Sequence, residues 1–149
     1  FFSGGFMSKL TFSGVSSLLS KHGDDLQYQT KWMLERVSNY WTKSRTKNSQ
    51  IGVELRESEL YVSIPQCRFE CTSESRLIFK NNAILSEVTF FVQDNDAKSA
   101  FHKLYVNQDL NVNFGTPTRD PVVDLEYSIN FEENFMNELI QAASEADLI

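Results

Sequence analysis

In several runs between Ile51 and Phe131 the apolar residues recur at every second position, and this period constrains the fold more than any other feature of the chain. Side chains on a strand point to opposite faces in turn, so a period of two marks strands that turn one face toward a core. Ile51, Val53 and Leu55 alternate, as do Leu60, Val62 and Ile64. Arg56 to Ser58 is short enough to close a hairpin between them. Pro65 lacks the ladder donor and ends the second strand or marks an edge. Cys67, Phe69 and Cys71 continue the alternation. Leu77 to Phe79 and Val88 to Val92 are expected to be further strands, with Asn81-Asn82 as a turn. Leu110, Val112 and Phe114 predict another, and Gly115-Thr116-Pro117 opens a loop. Val123, Leu125, Tyr127, Ile129 and Phe131 give the longest alternation.

Ahead of the strands the period is helical. Ser13 to Lys21 predicts a short helix with Ser13 as N-cap, Leu18 and Leu19 as its apolar face and Gly23 as its stop. Asp24 or Asp25 can then cap a second helix to about Lys47. Leu26, Met33, Leu34, Val37, Tyr40 and Trp41 fall on one stripe of it. Lys43, Arg45 and Lys47 would complement the negative end of its dipole. Asp94-Asn95-Asp96 can cap a short middle helix, Ala97 to Val106. Asn130 and Glu133 have the spacing of a capping box for a last helix, whose Phe135, Met136, Leu139, Ile140, Ala143 and Ala146 share one side.

This order predicts an α+β fold: an antiparallel sheet of five to seven strands, with a long N-terminal helix, a short middle helix and a C-terminal helix packed against it. The chain of 149 residues suits one domain, expected over 7–149, and 41% hydrophobic residues with twelve Phe can build its core. Phe1 to Phe6 precede a natural start at Met7 and are expected to be a cloning remnant or the stub of a processed leader.

A pI near 4.9 and a net charge of -6 argue against binding to nucleic acid or an anionic membrane, which depends on clustered Lys and Arg. No apolar run approaches the roughly 20 residues that span a bilayer. If Cys67 and Cys71 lie on one strand, they sit about 13 Å apart at roughly 3.3 Å per residue, beyond the ~7 Å reach of a disulfide. Buried, reduced thiols are expected, and with them a cytoplasmic setting.

Catalytic signatures are missing. His22 and His102 stand near no nucleophile motif. Asp94 and Asp96 could ligate a cation, but the twelfth position from Asp94 is Tyr105, where a calcium loop needs Glu. There is no phosphate-binding or dinucleotide-binding glycine motif. No catalytic residue, metal or cofactor is expected.

Two features suggest a binding surface instead. Tyr28 and Trp32 lie roughly 140–180° around the long helix from the Leu26–Met33–Val37 stripe, by the 3.6-residue period. Either both faces of that helix are covered or these aromatics meet a subunit or partner, where Tyr and Trp are enriched. From Asp120 to Ile149 there are eight acidic residues and no Lys or Arg, so an acidic terminal element suits a basic or unfolded partner.

Ile129-Asn130-Phe131-Glu132-Glu133-Asn134-Phe135-Met136-Asn137-Glu138-Leu139 resembles the C-terminal helix of the SecB export-chaperone family. The resemblance covers about a dozen residues. It implies a cytoplasmic α+β tetramer that holds unfolded preproteins on hydrophobic grooves. The chain departs from that family by beginning with helix, and by having strands where the family has a long penultimate helix. By element order the chain is also similar to small acidic dimeric chaperones of type III secretion.

The expected function is therefore a non-catalytic, acidic protein-binding module, a chaperone or adaptor, forming a dimer or tetramer. Tyr28, Trp32, Phe135, Met136, Leu139 and Ile140 are its expected partner or subunit interface. A cone similar to the NTF2-like or steroid-isomerase superfamily, enclosing a small apolar ligand with Asp94, Asp96 or His102 as base, is the alternative. A structural assembly subunit is a third.

Overall fold

The structure, a computed structural model, describes residues 9–43, 50–115, 123–124 and 129–149. It is an α+β fold. Among the described residues seven strands form one antiparallel sheet whose spatial order follows the sequence, β1 (Gly52–Arg56), β2 (Glu59–Ile64), β3 (Phe69–Lys80), β4 (Ala83–Asp94), β5 (Ala97–Val106), β6 (Asn111–Phe114) and β7 (Val123–Asp124). Local hairpins set the register. Glu57 and Ser58 have φ of 49° and 75°, and Asn81 and Asn82 of 52° and 61°. Two successive positive φ values close the tight primed turns that match strand twist.

Strands β2 to β6 each present one set of side chains to the helices. Leu60 and Val62 of β2, Phe69 and Cys71 of β3, Ile84, Val88 and Phe90 of β4, Leu104 and Val106 of β5 and Val112 of β6 are all buried there. Helix α1 (Phe12–Leu18), a π-helical turn (Leu19–Gly23) and helix α2 (Asp24–Lys43) run without a break. Helix α3 (Phe131–Glu145) lies beside them. Leu26, Met33, Leu34 and Val37 of α2 and Phe131, Phe135, Leu139 and Ala143 of α3 complete the core.

Several expectations are corrected. The N-terminal helix begins two residues early, because the Thr11 hydroxyl, not Ser13, accepts from the Gly14 amide. Gly23 does not stop it. A Cβ there would meet Leu19 and Leu77 only at ordinary contact distance, and the extra residue of the π turn carries the chain into α2. Asp24 and Asp25 thus sit inside a continuous helix. Arg45 and Lys47 lie outside the described residues.

The expected middle helix is strand β5. Its apolar residues Phe101, Leu104 and Tyr105 mimic a helical period for two reasons. A bulge places Phe101 between the Phe90–His102 and Phe91–Ala100 pairs, which breaks the alternation. Tyr105 is also buried on the face away from the helices. Leu77 to Phe79 and Val88 to Val92 belong to longer strands. Cys67 closes a 3₁₀ turn, Pro65–Cys67, and is exposed, whereas Cys71 is buried. Of the expected last strand, Val123–Asp124 is β7, residues 125–128 lie outside the described set, and Phe131 opens α3. Asn130 makes no side-chain cap bond, so the capping box does not form. Residues 1–8 also lie outside the described set.

Candidate functional site

Tyr28 and Trp32 are exposed, at 65% and 36%, four residues apart on α2. Farther along the same helix the Arg36 guanidinium lies 5.5 Å from the Trp32 ring and 5.2 Å from the Phe131 ring. It also pairs with Glu132. The Tyr40 hydroxyl donates to Glu133 at 2.8 Å, and this bond, helped by burial and both carboxylates, raises the Tyr40 pKa. The acidic first turn of α3 is thus tied to α2, where negative charge also suits the positive end of the helix dipole. What stays outside is an aromatic ridge, Tyr28 and Trp32, braced from below by Arg36. Leu19 at 41% and Phe12 at 90% are also exposed, on the turns that precede α2.

Of the expected interface residues, only Tyr28 and Trp32 form a surface. Phe135 and Leu139 are wholly buried and Met136 nearly so, and Ile140 packs partly buried against the core. Their stripe is spent on the chain's own sheet. The sequence could not separate them from surface positions, since an amphipathic face looks the same whether its cover is the same chain or another.

The sheet face away from the helices carries a second cluster, missed in the sequence because its members come from three strands. Glu87 of β4 is buried between Arg76 of β3, 2.9 Å from its Nε, and Lys103 of β5, 3.5 Å from its Nζ. Burial alone would raise its pKa. The Arg76 hydrogen bond and the two cations outweigh this, and the pKa falls below the usual carboxylate value. The Tyr105 hydroxyl also bonds Glu87. Burial first, then that charge, push its pKa up. Thr89, Phe91 and Ala100 complete a shallow depression of about 310 Å³. A carboxylate held ionised by two cations is a poor proton acceptor at neutral pH, so the cluster ties strands together rather than offering a base.

His102 lies in the core. Its ring is 5.7 Å from Phe90 and 6.4 Å from Phe114, near Phe101. Burial lowers its pKa to about 4. Among the described residues its Nε2 is buried without a hydrogen-bond partner. Asp94 and Asp96 are exposed around the β4–β5 turn. Among the described residues no three His, Cys, Asp or Glu converge as a metal site, and no helix is long and apolar enough to cross a membrane. No family model, no curated protein and no solved structure matches the chain.

Proposed function

We propose that this chain is a non-catalytic binding module, a chaperone or adaptor that engages apolar segments of a protein partner on the outward side of α1 and α2. The observation that carries the reading is the exposure of Tyr28 and Trp32 on a helix whose inward stripe is already filled. Large aromatics held rigidly at a surface bury much area at little entropic cost. The filled interior supports the same reading over an enclosed ligand, because Phe69, Phe90, Phe131 and Phe135 occupy the space between helices and sheet. The two free thiols suit a reducing, cytoplasmic setting.

The test uses the chain's two tryptophans. With Trp41→Phe, Trp32 is the only reporter. Titration with a permanently unfolded polypeptide, reduced carboxymethylated α-lactalbumin, should shift Trp32 emission to the blue and saturate. Tyr28→Ala in that background should weaken the binding roughly tenfold, the cost of one interface aromatic. An emission spectrum unmoved by excess polypeptide would overturn the reading.

A further inference from the structure

Glu87, Thr89 and Phe91 are alternate residues of β4, so they share the sheet face away from the helices. Register sets what flanks each of them. Glu87 lies between Arg76 and Tyr105, Thr89 between Glu74 and Lys103, and Phe91 between Thr72 and Ala100. Thr89 is therefore the centre of the depression on this face, with the charged cluster to one side and an aromatic ring to the other. It is only 6% exposed. Among the described residues its hydroxyl meets no hydrogen-bond partner, although buried hydroxyls are nearly always paired.

The charges around Thr89 do not cancel. Glu74 pairs with Lys98. Glu87 is shared by Arg76 and Lys103, so two cations serve one carboxylate. One positive charge is left over, in a chain whose net charge is -6. Arg76 reaches Glu87 through its Nε and its side chain is 72% exposed, while Lys103 is 43% exposed. Both can turn further donors toward a second acceptor without releasing Glu87. On the other side of Thr89, the half-buried Phe91 ring and the Ala100 methyl opposite it make an apolar wall.

We propose that this depression binds a small aromatic carboxylate. Lys103, Arg76 and the Thr89 hydroxyl donate to the carboxylate, and the ring lies against Phe91 and Ala100. A single negative charge matches the one uncompensated positive charge. A dianion would bring an excess charge beside the buried Glu87 carboxylate, and a cation would meet Arg76 and Lys103. Part-exposed ion pairs contribute little by themselves, so the flat apolar body supplies much of the affinity through its contact with Phe91. The site shares no residue with the aromatic ridge on α2 and lies on the other side of the sheet.

Benzoate is the probe, titrated at neutral pH and followed by backbone amide NMR. The amides of Thr89, Phe91, Ala100 and Lys103 should shift and saturate with a dissociation constant of about millimolar, the scale for so small a ligand. Benzamide has the same shape without the charge and should bind roughly tenfold more weakly or worse, as should benzylamine. Thr89→Val keeps the shape and removes the hydroxyl, and Lys103→Met removes one cation while Arg76 still pairs Glu87. Each should weaken benzoate roughly tenfold. No saturating shifts at these amides, shifts gathered elsewhere, or equal binding of benzamide would overturn the proposal, and none of these readings needs a variant to fold. Affinity indifferent to both variants would overturn it too. Trp32→Ala should leave benzoate binding unchanged, so failure of this site and failure of the ridge are distinguishable.

Discussion

Arg36 of α2 pairs with Glu132 of α3 across ninety-six residues of chain, and the guanidinium lies between the rings of Trp32 and Phe131. Both side chains are mostly shielded, at 20% and 12% exposure. Removing one partner strands the other where water reaches it poorly. Arg36→Ala should cost about 2 kcal/mol, part of it lost stacking. Arg36→Lys should recover only some of this, since an ammonium lacks the planar guanidinium that stacks. Urea denaturation of the two variants measures both. Full recovery by Arg36→Lys would mean that charge alone matters.

The core histidine makes stability depend on pH. His102 has its pKa lowered from 6.5 to about 4 by burial, so the unfolded chain binds its proton more readily than the folded one. Its contribution is complete above about pH 6.5 and is lost as pH falls toward 4. Over that window it amounts to about 3 kcal/mol. His102→Phe removes the titration and the unpartnered Nε2. It should leave stability at pH 7 nearly unchanged and flatten the slope between pH 6.5 and 4.5. Urea midpoints for both proteins across that range measure the effect, and parallel curves would refute it.

The two thiols should separate cleanly. Cys67 is exposed, and Cys71 is buried with its pKa pushed up to about 12. The thiolate is the reactive form. A disulfide reagent at pH 8 should modify one thiol quickly in the folded protein and both in denaturant. Two fast thiols in the folded protein would place Cys71 at the surface.

Much of the fold was legible because period and burial agree where only one face is covered. Leu60, Val62 and Phe69 alternate and are buried, and Leu26, Met33, Leu34 and Val37 keep the helical period. β5 was misread because Tyr105 is buried on the open face and Phe101 sits in a bulge, so neither obeys period two. Gly23 was misread because its usual role is to end helices, and nothing local announces a π turn. Tyr28 and Trp32 were legible as off-stripe aromatics. The Glu87 cluster was not, because it depends on register between strands, which no single segment encodes.

Ser73 joins two strands with one hydroxyl. It accepts from the Leu60 amide and donates to the partly buried Glu59 carboxylate, each at 2.8 Å. It is itself fully buried. Burial is the first cause raising the Glu59 pKa, and the Ser73 and Ser75 bonds oppose it. Ser73→Ala leaves a buried amide without an acceptor and removes one donor from the carboxylate. The expected loss is about 2 kcal/mol, above the cost of an ordinary exposed hydrogen bond. Without the Ser73 bond, the Glu59 pKa should rise further. A carboxyl titration by NMR should detect this rise, and thermal denaturation should give a lower midpoint. An unmoved Glu59 with full stability would mean that another group takes over both bonds.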